Sequence, residues 1–187
     1  MNHTALVLLA CSILVVAGCN CEQSCEQSCA SDCADNPLLT ESTLPFGAPP
    51  FNQIEEAHFA PAFEEAMAVH NSEIQAIIDS SDDPTFANTI EALDLSGRLL
   101  DSVRLVFLNI NAANTSEGIQ ALAKEINPKL AGHRDDILMN DALFARVKAV
   151  YDARESMDLN TEAARLLDKH YKKFVRGGAN LDDEAKA

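Results

Sequence analysis

A spacing is what most limits the fold of this 187-residue chain. Phe59, Phe63, Met67, His70, Ile74 and Ile77 recur at steps of three and four, which places them on one face of a helix. Pro61 falls in the first turn, where its missing N–H costs nothing. "DSSDDP" ends this helix, and Asp83 or Thr85 is placed to cap the next. Phe86, Ile90, Leu93, Gly97, Leu100, Val103, Phe107 and Ile110 continue the pattern. They predict one long helix of about seven turns, roughly 37 Å. Gly97 lies on its buried stripe and is expected to admit a close helix crossing, since glycine there otherwise costs about 1 kcal/mol against alanine.

After the turn "NAANTSEG", Ser116 or Thr115 caps a third helix carrying Ile119, Leu122, Ile126, Leu130, His133 and Ile137. Pro128 is expected to kink it near Glu125. A fourth helix carries Leu143, Val147 and Val150 behind an Asn140-Asp141 cap. A fifth carries Ala163, Leu167, His170, Tyr171 and Phe174 and stops at Gly177-Gly178. Ahead of them, "NPLLTESTLPFGAPP" (Asn36 to Pro50) has four prolines and a glycine and reads as an extended, wrapping segment. Trp is absent and Gly sparse, which disfavours a fold built from many tight β-turns. The expected fold is all-α: antiparallel helical hairpins, or a bundle, of about five helices.

The 29 acidic and 14 basic residues give a net charge of -15. Such a chain is a poor partner for nucleic acid, whose phosphates demand Lys and Arg. Anionic lipid would also repel it, so a membrane would have to hold it through an acyl anchor. The acidity is read as a solvated surface, with attraction of basic peptides as the alternative.

Motifs of chemistry are missing. There is no H-E-x-x-H, no phosphate-binding or dinucleotide loop and no G-x-S-x-G elbow. His70, His133 and His170 lie on or beside apolar stripes, where a lone histidine is ordinarily a core or boundary residue rather than a ligand. His58 precedes a helix start and is read as a capping residue. Glu55-Glu56, Glu64-Glu65 and Asp135-Asp136 are sequence neighbours, so on a helix they diverge by about 100° and make charged faces, not catalytic dyads.

The N-terminus has a different character. Ala5 to Ala17, "ALVLLACSILVVA", is too short to span a bilayer, which takes roughly 20 apolar residues, and suits the core of a signal peptide. The residues before it contain no Lys or Arg. "VAGC" resembles the lipobox of bacterial lipoproteins. It implies residues 1–18 as a lipoprotein signal and Cys19 as the lipidation site, and acyl chains anchor firmly because each buried methylene contributes about 0.8 kcal/mol. An ordinary secretory signal cut near Ala17 is the alternative. Asn20, in place of an Asp, favours the outer membrane, so the expected location is the cell envelope.

Residues 19–36 form a Cys-rich tether. Cys21, Cys25, Cys29 and Cys33 follow at steps of four. On a helix they would line one side and could bind a soft metal. Zinc sites more often add a second pair from elsewhere, and in an oxidising envelope close thiols readily form disulfides. A flexible tether with incidental or disulfide-linked thiols, and a metal or redox role, both stay open.

"NPLLTESTLPFGAPPFNQIEEAHFAPAFEEAM", "PTFANTIEALDLSGRLLDSVRLVF", "LFARVKAVYDAR" and "EAARLLDKHYKKFVRGGANL" together resemble the N-terminal part of the thimet oligopeptidase family, in its bacterial peptidyl-dipeptidase and oligopeptidase A branch. Pro45-Phe46 and the H-F-x-P-A-F of His58 to Phe63 are the most telling blocks. The resemblance implies a zinc metallopeptidase with a two-lobed, almost wholly helical fold around a deep channel that admits short peptides. It implies zinc in the full-length protein, held by an H-E-x-x-H helix and a later glutamate far downstream. No residue here matches a catalytic or zinc-binding position, so no catalytic or metal residue is carried over and this part alone is expected to bind no zinc and to hydrolyse nothing. Residues 37–187 are read as the N-terminal helical region. "NLDDEAKA" opens a new capped helix at Leu181-Asp182-Asp183 and stops one turn in, as if the chain were the front of a longer protein whose catalytic region is its missing partner. The alternative is a stand-alone envelope lipoprotein serving as a helical binding or scaffold module.

Overall fold

The structure is a computed structural model and describes residues 36–179. The signal segment, Cys19, the four tether thiols and Leu181-Asp182-Asp183 lie outside the described residues. Within them the fold is all-α, and no strand is present.

Helix α1, Phe59–Ile78, follows a 3-10 turn at Glu56–His58. A π-helical segment, Phe86–Glu91, runs into the short α2, Ala92–Leu95. Then come α3, Arg98–Ala113, α4, Glu117–Leu138, α5, Asp141–Asp152, and α6, Thr161–Arg176. The capping residues are Thr85, Ser116, Asn140 and Asn160, each accepting from a backbone N–H three residues on. That satisfies one of the donors orphaned at every helix start. At the far end, Gly178 takes a φ of 98° beyond α6, and Ala179 N–H returns to the Phe174 carbonyl at 3.1 Å. Helix α4 runs unbroken from Glu117 to Leu138 through Pro128.

The expected long second helix is in fact two pieces. Ser96 is extended (ψ 155°) and Gly97 is left-handed (φ 73°). Side chains compete here with the helical ladder. In a continuous helix Gly97 N–H would donate to the Leu93 carbonyl. Instead it donates to Glu73 Oε2 of α1 at 2.7 Å, and the Ser96 hydroxyl donates to the Leu93 carbonyl at 2.8 Å. The apolar stripe resumes at Leu100 in a separate helix.

Two apolar cores result. The first joins Phe59, Phe63 and Ala66 of α1 to Val103 and Phe107 of α3 and Ile119 and Ile126 of α4. Phe107 meets Phe59 and Phe63 edge-on, with ring centroids 5.1 and 5.4 Å apart, the arrangement that aromatic quadrupoles favour. Leu38, from the wrapping segment, closes this core. Asn36 fixes that segment by donating to the His58 carbonyl at 2.8 Å and accepting from Leu38 N–H. The second core joins Ile74 and Ile77 of α1 to Ile90, to Leu143 and Val147 of α5, and to Leu167 and Phe174 of α6. Helix α1 therefore serves both cores, and His70 sits between its two contributions.

Candidate functional site

The seam between the cores is open and mixes polar with apolar side chains. A cleft of about 580 Å³ lies there, bounded by α1, α2, α3, α4 and α6. It gathers His70, His133 and His170, which stand 63 and 37 residues apart in the chain. Sequence reasoning took each histidine singly, as a core or boundary residue. That description fits their burial: His170 is buried, and His70 and His133 are half-buried. Their convergence was missed. The signal available was that His70, Gly97, His133 and His170 each sit on an apolar stripe near the point where one core gives way to the other.

The polar groups of the seam are linked in a chain. Ser96 Oγ donates to the Leu93 carbonyl at 2.8 Å and stands 3.4 Å from His70 Nε2. His70 Nδ1 and His133 Nε2 share a hydrogen bond at 3.0 Å. The chain His133 to His70 to Ser96 to Leu93 is satisfied with both imidazoles neutral. Burial holds His70 below its ordinary 6.5, helped by the adjacent His133, while Glu73 and Asp101 pull the other way. Burial also lowers His133, against Asp136. His170 Nε2–H donates to Asp94 Oδ1 at 3.1 Å. Burial lowers its pKa more than Asp94 raises it, and Lys173 and Lys169 lower it further.

This geometry does not activate a nucleophile. A serine activated through histidine needs its hydroxyl aimed at a ring lone pair, whereas Ser96 Oγ lies 2.8 Å from the Leu93 carbonyl and 3.4 Å from the ring. Nor do the residues present fit the zinc that the resemblance implies. The sequence has no H-E-x-x-H, and among the described residues no group of three or more His, Cys, Asp or Glu is placed to hold a metal ion. The two seam nitrogens closest together bond to one another.

The remaining candidates stay structural. His58 caps as expected: its Nδ1 accepts from Glu55 N–H at 2.9 Å, closing a capping box. Glu55, Glu56, Glu64, Glu65 and Asp136 are exposed, and Asp135 is half-buried. Glu56 diverges from Glu55 to accept from the Ser116 hydroxyl at 2.8 Å, tying the start of α4 to the start of α1. Among the described residues no helix is long and apolar enough to cross a membrane.

An all-helical region with an open seam and no catalytic constellation is the class that the described residues define. Its sequence is similar to two bacterial peptidases. It is 43% identical to the dipeptidyl carboxypeptidase of Salmonella typhimurium (strain LT2) and 44% identical to that of Escherichia coli (strain K12), in each case over 152 residues. The similar stretch covers 81% of this chain and 22% of each relative, so the chain spans about a fifth of their length. No family model matches it.

Proposed function

We propose that residues 37–187 form the N-terminal helical region of a zinc-dependent oligopeptidase of the thimet oligopeptidase family, one that releases dipeptides from the C-termini of short peptides. The observation that carries this reading is identity of 43–44% to dipeptidyl carboxypeptidases over four-fifths of the chain. The role left to this region is to wall the channel and restrict entry to short, unfolded peptides, while zinc and its ligands belong to the remaining length of such a protein. Alone, the chain is inactive.

Two measurements test this. The purified chain, incubated with zinc and an oligopeptide, shows no turnover; chelator-sensitive cleavage overturns the claim of inactivity. A chimera carrying residues 37–187 in place of the matching stretch of the Escherichia coli relative retains chelator-sensitive dipeptide release. A folded chimera that binds zinc and is inactive overturns the family reading.

The same proposal places the protein in the cell envelope, anchored through an acylated Cys19 and spaced from the membrane by residues 20–36, with the outer membrane favoured. Labelled palmitate should enter the wild type and not Cys19→Ala. Thiol counting with a mass-tagging reagent, with and without reductant, distinguishes free from disulfide-linked Cys21, Cys25, Cys29 and Cys33.

A further inference from the structure

We infer that the seam cleft binds a small organic carboxylate carrying an apolar body. The first ground is charge. Arg104, Arg134, Lys169 and Lys173 line the cleft with Asp94 and Asp101, while Glu73 and Asp136 act on its histidines from outside the lining. In the chain as a whole the balance is 14 basic to 29 acidic residues, so the cleft lining is richer in cations than the chain around it.

The second ground is that both cleft carboxylates already have partners. Asp94 accepts from His170 at 3.1 Å, and Asp101 accepts from Arg104 Nη2 at 3.1 Å. Arg134 pairs with its neighbour Asp135 at 3.4 Å. Lys169 and Lys173 form no ion pair among the described residues, whereas Lys172 beside them holds Asp168 at 2.7 Å. Lys173 disfavours a proton on both His70 of α1 and His170 of its own helix. Its charge therefore bears on the cleft from α6 towards α1. The three imidazoles, neutral at pH 7, supply no counter-charge.

The third ground is the lining beneath the charges. Leu100, Leu130, Ile137, Leu138 and Phe174 give the cleft an apolar floor. A cavity of a few hundred Å³ with an apolar lining and a few convergent polar groups is the usual form of a small-molecule site. A carboxylate supplies the missing negative charge at Lys169 and Lys173, in a charge-assisted contact. An apolar body would pack on the half-buried Leu130 and Ile137 of this lining.

The experiment uses the full chain under reducing conditions, titrated with phenylbutyrate, with its neutral amide phenylbutyramide, and with inorganic phosphate. Calorimetry gives affinity, and the imidazole C–H resonances report position. Phenylbutyrate is expected to saturate and to shift His70, His133 and His170 but not His58. The amide and phosphate should each bind at least about tenfold more weakly, since one lacks the charge and the other the apolar body. Lys169→Gln/Lys173→Gln should weaken phenylbutyrate about tenfold with an unchanged melting curve, because both side chains are exposed. The inference is overturned if the amide or phosphate binds as well as the carboxylate. It is equally overturned if the lysine variant binds like wild type, if the shifts fall elsewhere, or if millimolar ligand gives no saturation. No peptide is hydrolysed in this assay, so its failure and the failure of the peptidase reading are separate outcomes.

Discussion

Replacing Gly97 by alanine sets two demands of the seam against one residue. The φ of 73° lies in the left-handed region, where an L side chain costs about 1–2 kcal/mol. A Cβ would also stand 2.8 Å from His70 Cε1 and 3.0 Å from each ring nitrogen. The imidazole has to move, which disturbs its 3.0 Å bond with His133 and costs about 1 kcal/mol. Alanine narrows the unfolded ensemble and offsets about 0.4–1 kcal/mol of this. The net expectation is a loss of about 2 kcal/mol. Urea denaturation followed by helical circular dichroism measures it as a lower midpoint at constant m. The two contributions separate in a His70→Ala background, where the ring is gone and only the dihedral cost remains. There the penalty should fall by about 1 kcal/mol, a coupling typical of residues in contact. A Gly97→Ala protein as stable as wild type refutes the reasoning. An equal loss in both backgrounds refutes the steric half of it.

Three further outcomes are expected. Burial lowers the pKa of His70, His133 and His170 below 6.5 in the folded chain, so below about pH 6.5 the unfolded chain takes up protons first and stability falls with pH; above that value they contribute no pH dependence. Urea midpoints measured from pH 8 down to pH 5 test this, and His70→Asn should flatten the profile. Arg146 joins α5 to the loop after α1, donating to the carbonyls of Ser80 at 3.0 Å and Asp82 at 3.3 Å and to Asn88 Oδ1 at 3.4 Å, while its buried Nε has no partner. Arg146→Met should cost about 1–2 kcal/mol and expose residues 79–85 to limited proteolysis. Ser116→Ala removes the cap on Ile119 N–H and the bond to Glu56, and the midpoint should drop by the equivalent of about 1 kcal/mol.

The helices were legible because each writes its own stripe. Phe59, Phe63, Ile74 and Ile77 declare α1 without reference to anything else, and the Ser116, Asn140 and Gly177-Gly178 boundaries are local chemistry. The break at Ser96-Gly97 was not legible, because its cause is remote. Glu73 captures the Gly97 N–H from another helix, and the apolar period of Leu93, Gly97 and Leu100 conceals the interruption. The cleft was hidden for a related reason. Whether His70 is a core residue or a member of a cluster depends on His133, and only the packing of α1 against α4 brings them together. Asn36, 1% exposed and bonded to His58, was likewise invisible in a segment read only for its prolines.

The sharing of α1 has a consequence for how the molecule comes apart. Phe63 and Ile74 belong to different cores but to one helix of 20 residues. Melting either core strips support from half of that helix, and a helix that loses half its packing seldom survives alone in water. The two cores are therefore bound into a single cooperative unit, and their amides on α1 should exchange together rather than as two independent foldons. The open seam that divides the cores in space does not divide them in folding.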